Sequence, residues 1–438
     1  MDSTRGKTKT AVVSIALVLL HWAVLCLRLN PASLFTDEPL YQLNYGKYFY
    51  TIETASKLLA NYGAPWGFDP RFAAGHILMP GVYQGLLLLV FLTHAVPSIS
   101  PAASIKLFIF LSLFLFPVVL WWAIRAFGLP QKVVPWGLTI AFLITYFSAT
   151  YLDISTGFIT IYSSVLVLVA SLALLWDINR SRQKPLASVL VMGSSGLLIY
   201  FISPPMNIIA LMGYAAFWIA QEGDFWKPRS LLALALGLVA VALIAYPWLS
   251  LSLPFLYRNA DIIAQMTKSP LFPWRAGSLI LCIVVFFIAP IAVVNIVAAI
   301  SGMRSYPAGA VKQKRFLIML TCSLTAVILL MFALIAAALL FPEHAELLTY
   351  VEGALYPSRY TESLILFMII PASLGVQLWH ESMARARREK RRSARRSTAI
   401  LYSVFLLVLV GAVSLFPGQK RSFQVRAPTP FMKMVEWM

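Results

Sequence analysis

Residues 36–76 read TDEPLYQLNYGKYFYTIETASKLLANYGAPWGFDPRFAAGH. This polar stretch lies between two apolar runs, 11–29 and 79–96. It opens on adjacent acids, Asp37 and Glu38, continues through a tyrosine-rich amphipathic segment, and closes on Asp69 and Arg71. The rest of the chain reads mostly as hydrocarbon-soluble helix. A membrane protein that places such a loop against its bilayer face is expected to bind or react there.

Outward from this loop, composition sets the class. The chain has 438 residues, 60% of them hydrophobic, with a mean hydropathy of +0.79. Apolar runs long enough to cross a hydrocarbon core of about 30 Å, at about 1.5 Å per helical residue, recur along it. The alternation expected of a membrane β-barrel is absent. The chain therefore reads as an all-α polytopic membrane protein. The three cysteines, Cys26, Cys282 and Cys322, fall inside apolar runs and read as small core residues, not a disulfide framework. The N-terminal segment MDSTRGKTKT followed by AVVSIALVLLHWAVLCL reads as an uncleaved signal anchor, because no small-residue cleavage site follows.

Eleven spans are predicted: 11–29, 103–124, 133–150, 156–176, 186–203, 205–221, 230–250, 276–300, 316–341, 360–379 and 398–416. The run 79–96 is assigned to the outer leaflet without crossing, with Pro80-Gly81 at its start and Pro97 and Pro101 at its exit. Charge decides this. With that assignment 22 of the 35 basic residues fall on the N-terminal, cytoplasmic side with only six of the 17 acidic ones, as the positive-inside rule requires. A crossing at 79–96 scatters the basic runs between both faces. The net charge of +18 is thus a topology signal. The basic stretch 385–396 reads as a loop near anionic headgroups. It carries no interleaved aromatic residues, which argues against nucleic acid. Span interiors carry almost no charge, which weighs against an ion-coupled transporter, although Pro117, Pro290 and Pro371 interrupt spans as in transporters.

The outer face then holds 11 of the 17 acidic residues. Asp37 and Glu38 admit two readings. Either Thr36 or Asp37 caps a helix that has Pro39 in its first turn and runs to about Asn61, stopped by Gly63 and Pro65, or the acids are functional carboxylates. Tyr41 lies four residues beyond Asp37, on the same helical face. Asp153, in the second outer turn YLDIST, is either an N-cap or a second functional acid. Arg359, in YPSRYTESL, either snorkels to the interface or binds phosphate with its planar guanidinium. Arg258 and Lys268 are weaker phosphate candidates. His76 is one of five histidines with no metal-binding spacing. A divalent cation, Mg²⁺ or Mn²⁺, held by the oxygens of Asp37 and Asp153 is the metal alternative.

Taken in order, these segments resemble the C-type (GT-C) glycosyltransferase superfamily, membrane enzymes that use polyprenyl-phosphate sugars. Asp37-Glu38 followed by Tyr41 is similar to the DE..Y motif of protein O-mannosyltransferases and aminoarabinose transferases. Trp66-Gly67-Phe68-Asp69-Pro70 with Ala74-Gly75 resembles the WGYDP...AG segment of uncharacterised prokaryotic membrane proteins named as related to 6-pyruvoyl-tetrahydropterin synthase. Met79-Pro80-Gly81 resembles an element of oligosaccharyltransferase catalytic subunits. Tyr356-Pro357-Ser358-Arg359-Tyr360 resembles a late PxRF segment of the uncharacterised group.

The resemblance implies a membrane module over 1–416 whose first outer loop, 30–102, contains amphipathic and outer-leaflet helices. It implies inverting sugar transfer on the extracytoplasmic face of, by expectation, a prokaryotic plasma membrane, from a polyprenyl-phosphate donor to an acceptor hydroxyl on a glycan, lipid or protein. Asp37, Glu38 and Asp153 would be catalytic, and Tyr41, Asp69, Arg71, His76, Arg359 and Arg258 would bind substrate. Residues 417–438 read as the start of an outer segment, ending where the soluble domain of such enzymes would begin. The competing functions are a transporter or flippase for a lipid-linked or anionic substrate, and a non-catalytic membrane scaffold.

Overall fold

A computed structural model describes residues 2–40, 44–65, 67–69, 76–78, 86–96, 98–148, 150, 154, 157–258, 280, 290–341 and 357–388. Twelve helices of nine residues or more are found among them. They are α1 (Asp2–Arg28), α2 (Asn44–Tyr62), α3 (Leu87–Ala95), α4 (Pro101–Ala126), α5 (Val134–Phe147) and α6 (Ile159–Ile178), followed by α7 (Pro185–Ile202), α8 (Asn207–Ala220), α9 (Pro228–Arg258), α10 (Pro290–Arg304), α11 (Val311–Leu340) and α12 (Pro357–Arg388). One short antiparallel pair, β1 (Gly67–Asp69) and β2 (His76–Leu78), sets Asp69 opposite His76.

Six helical segments are long and apolar enough to cross a membrane: Thr8–Arg28, Pro101–Ala126, Ile159–Ile178, Pro185–Ile202, Ala308–Leu340 and Arg359–Arg385. Three shorter apolar helices, Pro204–Ala220, Pro228–Ile244 and Ile291–Arg304, accompany them. The protein is an integral membrane protein. The predicted span 133–150 appears as the 14-residue α5, while span 398–416 lies outside the described residues. In the most apolar window of α6 and of α12, 83% of the residues are buried, against 22% in α1. So α6 and α12 form the centre of the bundle and α1 lies at its edge. Leu19, Leu27, Leu232 and Leu329 are exposed on α1, α9 and α11, which suits helices whose outer surface meets lipid.

Short turns after α4, α6, α7, α8 and α10 send the chain back and forth. Long-range contacts fix the two ends of the bundle. Lys132, at the turn before α5, pairs with Glu381 near the end of α12 at 2.6 Å. Trp136 donates to Gln377 at 2.6 Å, and Tyr306, after α10, donates to the Phe127 carbonyl at 2.8 Å. Glu222, after α8, lies 3.8 Å from Lys312. These contacts gather the end of α4, the start of α5, the end of α8, the start of α11 and the end of α12. The end of α1, the starts of α4 and α6, and the start of α12 consequently share the opposite end. That end receives the first loop.

The most intimate helix pair is α10 with α12. A Cβ on Gly302 would stand 1.8 Å from the Pro371 carbonyl oxygen, and one on Gly375 would stand 1.9 Å from that of Ala298. Only glycine lets the two backbones meet this closely. Pro371 therefore does not break α12. It sits where the neighbouring helix presses on the chain.

In the first loop, α2 ends at Tyr62 with Gly63 at φ +72°, the stop that the sequence indicates. Its start differs from the expectation. The described helix begins at Asn44, and Thr36–Leu40 are non-helical, so neither Thr36 nor Asp37 caps a helix with Pro39 in its first turn. Pro39 steers Glu38 away from helical backbone. The Thr36 carbonyl accepts from Lys106 at 2.7 Å. The helix α3 has nine residues, about 13 Å in length, less than half of a crossing; residues 79–85 lie outside the described set.

Candidate functional site

Site construction starts at the end of α1. The Asn30 side chain accepts from Ala32 N at 3.1 Å. Pro31 occupies the first position of a single 3-10 turn, Pro31–Ser33. Ser33 Oγ donates to the Asn30 carbonyl at 2.7 Å, and Thr36 Oγ1 donates to the Ser33 carbonyl at 3.0 Å. The chain then turns through Leu34 and Leu40, both buried, leaving Phe35, Asp37 and Glu38 exposed. Two apolar pegs thus hold a turn whose acids face outward.

Lys106, in the second turn of α4, completes this structure. Its side chain is fully buried, yet its ammonium donates to Ser33 O at 2.5 Å, Thr36 O at 2.7 Å and Thr36 Oγ1 at 2.8 Å. Its charge acts on Glu38 and Asp37. Lys106 lies inside a span, against the expectation of nearly uncharged span interiors. The signal was present in PAASIKLFIF: a cation inside an apolar helix needs a partner.

The amphipathic α2 packs against α3 and α4. Its buried face carries Tyr45, Tyr48, Ile52 and Ala55. Tyr45 donates its hydroxyl proton to the Ile154 carbonyl. This ties the first loop to the second outer turn beside Asp153. Tyr48 hydrogen-bonds with Thr160 at the start of α6, and the Arg359 guanidinium acts on it electrostatically. Burial pushes the Tyr48 phenol above its usual range; the Thr160 bond and the Arg359 charge oppose that shift. Arg359 is half-buried in the first turn of α12. Its charge is therefore felt at the first loop's helix. One turn further along α12, Glu362 is fully buried and its charge acts on the Tyr162 hydroxyl. Glu362 is a second ionisable side chain inside a span, against the expectation of nearly uncharged span interiors.

The structure thus gathers three polar groups at one end of the bundle. Lys106 holds the turn that carries Asp37 and Glu38, Tyr45 joins Ile154, and Tyr48 joins Thr160 within reach of the Arg359 charge. Asp69 and His76 are paired residues of the short hairpin, with their side chains outside the described set. Arg258 ends α9, also without a described side chain. Tyr41, Arg71 and Asp153 lie outside the described residues. As for a metal, Asp37 and Glu38 offer exposed oxygen donors suited to a hard cation. Among the described residues no cluster of three or more His, Cys, Asp or Glu side chains could hold one, so the remaining ligands would have to come from elsewhere, Asp153 included.

No family model matches the chain, and no curated protein is similar to it in sequence. Solved structures are similar in fold. The oligosaccharyltransferase of Archaeoglobus fulgidus in its apo form superposes with a TM-score of 0.56 at 12% identity, over 97% of this chain and 57% of that one. The same enzyme tethered to an acceptor peptide containing the NVT sequon gives a TM-score of 0.54 at 13% identity, with the same coverage. The likeness is one of fold: this chain shares the fold of the matched part of that oligosaccharyltransferase. This chain spans less than two thirds of the oligosaccharyltransferase's length.

Proposed function

We propose that the protein is a membrane glycosyltransferase that moves a sugar from a polyprenyl-phosphate donor to an acceptor hydroxyl, with inversion, on the extracytoplasmic side of a prokaryotic plasma membrane. The observation that carries this reading is the exposed Asp37–Glu38 turn, pinned at one end of a bundle with the oligosaccharyltransferase fold. In the reaction, the acceptor oxygen attacks the anomeric carbon and the bond from that carbon to the phosphate oxygen breaks. The acceptor's proton passes to Asp37, and the lipid phosphate leaves with the bonding electrons. A positioned base contributes about 10² to 10⁴ in rate. Arg359 stabilises the charge that grows on the departing phosphate, the kind of preorganised electrostatic help that matters most in such transfers. Glu38 and Asp153 supply further carboxylates. Asp37 and Asp153 are the pair that would hold a divalent cation, which when bound supplies positive charge to the leaving phosphate. Tyr41, Asp69, Arg71, His76 and Arg258 line the donor and acceptor approaches in this proposal.

The test offers purified protein in lipid a panel of radiolabelled polyprenyl-phosphate sugars with glycan, lipid and peptide acceptors. Label moving to an acceptor, or released as free sugar, supports the reading. Silence across the panel, with substrate flux into vesicles that survives Asp37→Asn, supports transport instead. Added chelator is expected to slow transfer if the cation is required; undiminished rates would remove the metal from the proposal.

A further inference from the structure

Lys106 presents a problem of charge placement. An ammonium inside a membrane span is costly without partners, and it has three protons to donate. All three are used, on Ser33 O, Thr36 O and Thr36 Oγ1. Every one of these acceptors is neutral. The hydrogen bonds therefore satisfy the donors while the charge itself is left to Glu38 and Asp37, which remain exposed.

A direct salt bridge would have neutralised a carboxylate and turned it inward. Here the lysine grips the backbone and hydroxyl of the turn just before the acids.

We infer that Lys106 is a positioning residue: it clamps the 33–36 turn to α4 and holds Asp37 and Glu38 at the outer surface with their oxygens available to substrate. This inference rests on the glycosyltransferase reading for its catalytic consequence, but the clamp itself does not. Two measurements therefore separate the two.

The first is amide hydrogen exchange of wild type and Lys106→Met in lipid nanodiscs. Methionine keeps the length and apolarity of the stem and removes all three donors. Peptides covering 33–38 are expected to exchange at least about tenfold faster in the variant, because local opening sets their rate, while α6 and α12 stay protected. Unchanged exchange at 33–38 overturns the clamp. Should Lys106→Met not accumulate in the membrane, Thr36→Val serves. It removes one of the three acceptors and should accelerate exchange there by a smaller factor; wild-type exchange in it counts against the clamp equally.

The second is kinetic. With a donor that wild type uses, Lys106→Met is expected to lower kcat by about 10- to 100-fold, the scale of a misplaced catalytic group, with KM for the donor changed less than about threefold. A wild-type kcat overturns the positioning role. A loss confined to KM overturns it too, and makes Lys106 a donor-binding group. If wild type itself transfers nothing, the glycosyltransferase reading fails and hydrogen exchange alone decides the clamp.

Discussion

Asp37 and Glu38 stand out in the sequence as candidate site residues because two adjacent acids at a membrane boundary have no apolar reason to be there. Lys106 was harder to place. Its partners are backbone oxygens 70 and 73 residues away, and a carbonyl carries no side-chain signature in the sequence. Arg359 lay between these cases: its residue type pointed to phosphate, but only its electrostatic influence on Tyr48 relates it to the first loop. Arg359→Ala should raise the Kd for a polyprenyl-phosphate donor about tenfold or more, since hydrogen bonds to a charged group contribute about 1.5 to 3 kcal/mol. Unchanged donor binding would mark Arg359 as a membrane anchor. Tyr45→Phe tests the neighbouring link. It leaves the Ile154 carbonyl without its tyrosine partner and should cost about 1 kcal/mol, read as a lower unfolding temperature in detergent. An unchanged temperature would mean that water replaces the hydroxyl.

At the scale of elements, the amphipathic α2 was legible at its C-terminal end and misread at its N-terminal end. Gly63 is a local signal: a left-handed backbone position stops a helix whatever surrounds it. The start was misread because Pro39, taken as a first-turn residue, also steers Glu38 away from helical backbone. The pair β1 and β2 was not foreseen, since three residues per strand are too few to show an alternating pattern. The crossing of α10 and α12 was equally hidden, as glycines in apolar spans are common and only the fold reveals which ones touch. Gly302→Val and Gly375→Val should each destabilise the bundle by more than about 1 to 3 kcal/mol, the usual cost of overpacking, because the added atoms meet rigid backbone. Thermal dispersion in detergent measures this. A wild-type midpoint for both variants would contradict the close crossing.

For the whole molecule, hydropathy and charge gave the class and the alternation of helices. The count of eleven spans rested on an ideal length that the packed helices need not have. Short helices such as α5 and α8 lie within a bundle whose neighbours cover their ends, so length alone does not decide whether they cross. The two ends of the bundle are chemically distinct. Lys132–Glu381 and the Glu222 cluster mark one, and the acidic turn marks the other. A single cysteine placed at Arg182 in a background lacking Cys26, Cys282 and Cys322 should react with an impermeant maleimide only from the cytoplasmic side, and one placed at Phe35 only from outside. Labelling of both positions from one side would overturn the topology.

The central claim is that the acidic turn performs sugar transfer. The most direct measurement compares wild type with Asp37→Asn, reconstituted in the same lipid, for turnover of a radiolabelled polyprenyl-phosphate sugar that wild type consumes. The substitution keeps the size of an exposed side chain and should leave expression and unfolding temperature as they are. A fall in turnover of about 10² or more, the contribution expected of a positioned base, is the predicted result. Turnover at the wild-type rate would contradict the claim and move the chemistry away from this turn.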